Sequence, residues 1–143
     1  MHIARLILAA LAAFVAYMVL GGLMFGLVPS LRTEFLKYPA VYRSLEGQKS
    51  HMAIGMPGML FSILALAVLY ALAYKPGFGL RQGAIFGVLI GLYSIGSFVL
   101  HNYVNLNVGL KLTLQQSVAY FIEWVVVGMV IGLIYRPVSM GLP

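Results

Sequence analysis

The sequence predicts an all-α integral membrane protein, with residues 1–143 forming a single transmembrane domain. Its form is a four-helix antiparallel bundle with an amphipathic interfacial segment between helices one and two. Three observations carry that prediction. The chain is 62% apolar and 8% charged, with a mean hydropathy of +1.00, whereas a soluble domain is about 25% charged. Four segments, Leu6–Val28, Met52–Tyr74, Gly83–Leu100 and Val118–Tyr135, contain no Lys, Arg or Asp. Each meets or approaches the roughly 20 residues that a helix needs to cross a hydrocarbon core of about 30 Å. Prolines and turn residues separate them. Backbone polar groups in hydrocarbon must be satisfied within the segment, so these spans are helices, and the alternating ten-residue segments of a barrel are absent from the sequence.

Taken in order, helix one covers residues 4–28. Arg5 and the Leu/Ala-rich run after it have the look of a signal peptide. The run is too long for an h-region and no A-x-A site follows, so the expectation is a retained helix ended by Pro29. The interfacial segment, 31–46, places Leu31, Phe35, Tyr38, Tyr42 and Leu45 on one helical face, with Arg32, Glu34, Lys37 and Arg43 offset from it. That pattern suits a helix lying in the membrane interface, bent near Pro39. Helix two covers 51–74, is bent at Pro57, and ends in the turn Lys75-Pro76-Gly77. Helix three covers 80–103, and helix four, 113–136, ends at Arg136-Pro137.

Four spans put both termini on one side, here called proximal, with Arg5, Lys75, Arg81 and Arg136. The distal side holds Arg32, Lys37, Arg43, Lys49 and Lys111. Four against five leaves the positive-inside count undecided. The proximal residues lie closest to the helix ends, which points to cytoplasmic termini. The net charge of +6 and pI near 9.8 therefore read as anchoring to anionic headgroups of the lipid bilayer, and no nucleic-acid partner is implied. With no cysteine, disulfides and thiolate metal sites are excluded.

Small residues mark the packing faces. Gly83, Gly87 and Gly91 recur every four residues, as Gly128 and Gly132 do in helix four and Gly22 and Gly26 in helix one. Such glycine-zipper spacing lets helices approach closely in lipid, and packing within the chain is the expected use, with a homodimer contact as the other. The helix-three stripe continues through Ser94, Ser97 and His101 to Asn105, and helix two aligns His51, Gly55, Gly58, Ser62 and Ala65.

Glu123 is the one acidic residue inside a span, with Gln116 and Tyr120 on its own helical face. A charged side chain at the bilayer centre costs roughly 2.5–3.5 kcal/mol on insertion scales, so it turns inward to a partner or a water-filled cavity. His51, Ser94, Ser97, His101, Asn105, Gln116, Tyr120 and Glu123 thus define an expected distal polar pocket. One use is a hydrogen-bond network that fixes helix order. Another is proton-coupled transport by a dimer, with Glu123 as the titrating group. A third is a metal site of His51, His101 and Glu123 or a haem held by His51 and His101. Met52, Met56 and Met59 add a thioether stripe suited to Cu(I). Methionine more commonly fills space, and the expectation is no bound metal or cofactor. Catalytic motifs are missing. The function expected is therefore non-enzymatic: an accessory subunit of a membrane complex, or a small ligand-binding bundle.

The Gly83/Gly87/Gly91 helix, the polar turn at His101–Asn107, and Glu123-Trp124 followed by Gly128 and Gly132 carry a family resemblance. Over residues 83–137 the chain resembles small four-helix bacterial membrane proteins grouped as domains of unknown function. The resemblance implies a four-helix bundle in a bacterial inner membrane and supplies no activity. In size and in having a membrane glutamate the chain also resembles small multidrug transporters. Theirs lies in the first helix and this one in the fourth, so their function does not carry over.

Overall fold

The computed structural model describes residues 2–75 and 79–136, and the expected turn at Pro76-Gly77 and the stop at Pro137 lie outside them. Helix α1 is Ile3–Leu27, α2 is Pro29–Leu36 and α3 is Leu45–Ala73. Helix α4 runs Gly79–Asn105 with a π-helical stretch at Ile95–Leu100, and α5 is Leu110–Ile134. Four of them, α1, α3, α4 and α5, are long and apolar enough to cross a membrane. The protein is an all-α, multi-pass membrane bundle.

α5 is the central helix, packed against α4 along its length and against α1 on another side, while α3 packs mainly on α1. The α4–α5 contact is backbone on backbone. A Cβ on Gly83 would meet the Gly128 carbonyl and lie 2.9 Å from Gly132 Cα, and one on Gly87 would lie 2.5 Å from the Trp124 carbonyl oxygen. At Gly91 the neighbour is the Phe121 ring. In lipid, where burial from water drives nothing, this proximity maximises dispersion between the helices. α1 offers a similarly slim face of Leu6, Ala9, Ala10 and Ala13, all buried, to a core shared by Ile63, Ala67 and Tyr70 of α3 and Val127 and Ile131 of α5. Gly22 and Gly26 have open space around them, so the helix-one repeat makes no close helix contact among the described residues.

Aromatic residues close the proximal end. Tyr70 is fully buried and donates its hydroxyl to the Gly79 carbonyl at 2.9 Å, which ties the end of α3 to the start of α4. Its ring stands edge-on to Phe86 and Tyr135. The His2 N–H reaches the Tyr135 hydroxyl at 3.5 Å, so the first and last helices meet at one face. The distal half of α3 is looser, with His51–Gly58 exposed throughout.

Two local signals reshape the distal connection. Ser44 caps α3 by accepting the Gly47 N–H at 3.1 Å, with Glu46 in the first turn. An N-cap with an acidic residue beside it starts a helix, so α3 begins at Leu45, ahead of the expected residue 51. The segment 31–46 is accordingly not one interfacial helix: α2 stops at Leu36 and residues 37–44 are non-helical. Its aromatic stripe faces protein. Phe35 stacks on Tyr42 with ring centroids 4.1 Å apart and meets Phe25 edge-on. The Tyr38 hydroxyl accepts the Gly109 N–H at 2.9 Å. Glu34, expected on the polar side, is buried and bridges Lys37 at 2.6 Å and Lys111 at 2.9 Å. The segment folds back as a cap over α1 and α5.

Candidate functional site

Beside that cap, α1, α2, α5 and the start of α3 line a partly open cavity of about 250 Å³. Its polar wall is Glu123, Tyr120 and Gln116 of α5, Tyr17 of α1 and Gln48 of α3. Its apolar wall includes Phe25, Leu31 and Phe35. Helical periodicity explains the α5 side, since residues 116, 120 and 123 fall on one face. On the α1 side Gly21 leaves room for the acid. A Cβ at Gly21 would lie only 3.0 Å from Glu123 Oε1, so the carboxylate rests against bare backbone one turn along from Tyr17.

Glu123 is 6% exposed, yet among the described residues its carboxylate takes part in no hydrogen bond or salt bridge. Gln116 donates to the Tyr42 hydroxyl at 3.4 Å, a long bond, and Gln48 donates to the Arg43 carbonyl at 2.9 Å. The Tyr17 ring packs on Trp124, centroids 5.4 Å apart. Trp124 Nε1 and Gln115 Oε1 are buried without a partner among the described residues. On the cap, outside the cavity lining, the charges are matched: hydrogen bonds from Lys37 and then Lys111 hold the Glu34 carboxyl below the usual carboxylate range, and Glu34 in turn raises Lys37. The site is thus an acid on an amphiphilic cavity, beside a cap held by ion pairs.

Of the residues expected in the pocket, Gln116, Tyr120 and Glu123 meet there and the others do not. His51 is exposed and lines an adjoining cavity between α1 and α3. Ser94 is half-buried, and Ser97, His101 and Asn105 are exposed. Ser97 donates to the Tyr93 carbonyl and Asn105 to the His101 carbonyl, each at 2.8 Å, so both satisfy their own helix. For Ser97, His101 and Asn105, which lie in or after it, the π-helical stretch at Ile95–Leu100 is the reason. Its wider turn uses an extra residue, rotating everything after it. The buried line of α4 passes from Gly91 to Val99, and Ser97 and His101 turn away. His51, His101 and Glu123 therefore do not converge, and among the described residues no group of three His, Asp or Glu side chains is placed to hold a metal. On α3, Gly55, Gly58, Ser62 and Ala65 are exposed, and the buried face is Ile63, Ala67 and Tyr70.

Sequence reasoning missed Tyr17, Gly21, Tyr42 and Gln48. The only signal for them was the Tyr17/Gly21 spacing of four on α1, beside a more conspicuous Gly22/Gly26 pair. Comparison with protein-family models, curated proteins and solved structures finds no match.

Proposed function

We propose that this chain is a non-enzymatic membrane protein that binds a small amphiphilic ligand through Glu123, the ligand carrying a cationic or hydrogen-bond-donating head. The supporting observation is a buried glutamate, unpartnered among the described residues, on a cavity with polar and apolar walls. An intramembrane acid is expensive to retain without use, and a donor head group supplies the missing partner while an alkyl tail lies along Phe25, Leu31 and Phe35. The reading places the protein in a bacterial inner membrane with cytoplasmic termini, so that the pocket opens in the outer leaflet.

The test is native mass spectrometry of the protein in lipid nanodiscs, titrated with an alkylammonium and with the alcohol of equal chain length. A charge-assisted hydrogen bond contributes about 1.5–3 kcal/mol, so Glu123→Gln should weaken the alkylammonium by about tenfold or more and leave the alcohol nearly unchanged. Equal alkylammonium binding by the wild type and Glu123→Gln overturns the proposal.

A further inference from the structure

We propose that the second distal cavity, between α1 and α3, is a binding site for a soft monovalent metal ion, Cu(I), held by methionine thioethers and the His51 imidazole. The site is independent of the Glu123 pocket, although Tyr17, Met18 and Gln48 form a wall common to both. The cavity, about 350 Å³, is lined by Met18 from α1 and by His51, Met52, Met56 and Met59 from α3. Half of the chain's eight methionines therefore face one space.

Met59 packs against the core and Met18 is half-buried, but Met52 and Met56 fill no packed interior. Met52 is 46% exposed and Met56 39%, and the tight part of the α1–α3 contact belongs to Ile63, Ala67 and Tyr70 further along the helix. Residues 52, 56 and 59 recur at helical spacing, so their thioethers lie on one face of α3. Met18 approaches from the opposing helix. Gly55, between Met52 and Met56, has no atom within 4 Å of a Cβ position, so the space beside the thioethers stays open.

His51 is set up as a ligand. Its Nδ1 lies 2.8 Å from the Gly47 carbonyl oxygen and 3.0 Å from Ser50 Oγ, which itself donates to the same carbonyl at 2.8 Å. A carbonyl only accepts, so in the neutral ring Nδ1 carries the proton and the lone pair is on Nε2. A ring nitrogen donating to a backbone carbonyl while the other faces the metal is the usual outer-shell arrangement of metal-binding histidines.

The donor set selects the ion. Thioethers are soft and uncharged and favour Cu(I) among biological metals. Ca²⁺ and Mg²⁺ require oxygen ligands, and Zn²⁺ binds thiolate, imidazole and carboxylate. Arg43 lines the mouth of the cavity and is exposed. Its positive charge disfavours a divalent ion more than a monovalent one, by Coulomb's law.

The test uses the full chain in nanodiscs, with bathocuproine disulfonate competing for Cu(I) and X-ray absorption reading the ligands. One Cu(I) per chain is expected, with sulfur and nitrogen scatterers. The variants His51→Ala and Met56→Leu should each weaken binding about tenfold or more, the loss typical when a ligand's support is removed. His2→Ala and Met129→Leu, outside the cavity, should bind as the wild type does. A second measurement needs no variant: redox-silent Ag(I) should protect Met52 and Met56 from alkylation, read by mass spectrometry, and leave Met129 unprotected. No Cu(I) retained against the competitor, equal retention by His51→Ala and Met56→Leu, a shell of light scatterers only, or Ag(I) without selective protection each overturns the proposal.

Discussion

Replacing Gly87 with alanine tests whether the α4–α5 contact rests on backbone proximity. A Cβ at that position would lie 2.5 Å from the Trp124 carbonyl oxygen, 2.7 Å from Val125 Cα and 2.9 Å from the Val125 carbonyl oxygen. All three are backbone atoms, so no rotamer change relieves the clash. Ordinary contact begins near 3.4 Å, which requires α4 to retreat by about 0.9 Å; a gap of that size forfeits a quarter to a half of each dispersion well it opens. The retreat also loosens Gly83 from Gly128 and Gly132, and Gly91 from Phe121. Overpacking costs about 1–3 kcal/mol, and a clash against two rigid helices belongs at the upper end. Alanine returns about 1 kcal/mol as the better helix former. The net loss is about 2 kcal/mol, or a melting temperature lower by about 4–8 °C, measured by thermal unfolding in detergent. Gly55→Ala and Gly58→Ala are the controls, since neither position has an atom within 4 Å of a Cβ; they should melt with the wild type or above it. The double variant Gly83→Ala/Gly87→Ala should lose less than the sum of its parts, because one retreat relieves both clashes. If Gly87→Ala melts at or above the wild-type temperature, or the controls fall as far, the reasoning is refuted.

Acid should loosen the distal cap. Glu34 has a lowered pKa in the fold, from the Lys37 and then the Lys111 hydrogen bonds, so its contribution is present above the unfolded glutamate value near 4.3 and is lost as pH falls through the lower folded value. Melting curves from about pH 6 to pH 3 should show the wild type falling towards Glu34→Gln across that window; parallel curves would show that the ion pairs add nothing. At the proximal end, Tyr70→Phe removes the 2.9 Å bond to the Gly79 carbonyl and should cost about 0.5–1.5 kcal/mol. Tyr135→Phe loses only the 3.5 Å contact from His2 and should melt within about 0.5 kcal/mol of the wild type; a larger loss there than at Tyr70 would contradict the assignment.

The helices and the α4–α5 seam were legible because both are written in a single segment. Apolar length marks a span, and glycines four apart mark a face on which any Cβ would be in the way. The same reasoning erred where one helix's pattern was carried past a change of register. Ser97 and His101 continue the Gly83/Gly87/Gly91 stripe only on an unbroken α-helix, and the π-helical stretch at Ile95–Leu100 ends that continuity. Nothing in Ile95-Gly96-Ser97-Phe98-Val99-Leu100 separates a π turn from an α turn by hydropathy. The interfacial segment was legible as an amphipathic stretch, but not its break into α2 and a non-helical return. Its aromatic face was real, but amphipathicity alone does not say whether the apolar side meets lipid or protein.

The pocket was half legible for a related cause. Glu123, Tyr120 and Gln116 could be grouped from spacing within one helix, whereas Tyr17, Gly21 and Gln48 join them through the mutual rotation of α1, α3 and α5. In water, that rotation follows the apolar stripe of each helix. In lipid every face is apolar, and the rotation is set by where side chains are small enough for backbones to approach. Ala9, Ala10 and Ala13 fix the proximal half of α1, and Gly21, two turns beyond Ala13, then has to face α5 at the level of Glu123. The same residue type that permits close packing in one half of the bundle opens room for a carboxylate in the other. Gly21→Leu should therefore displace the Glu123 side chain and leave the alanine contact intact, since a Cβ there already stands 3.0 Å from Oε1 and meets no backbone atom within 4 Å.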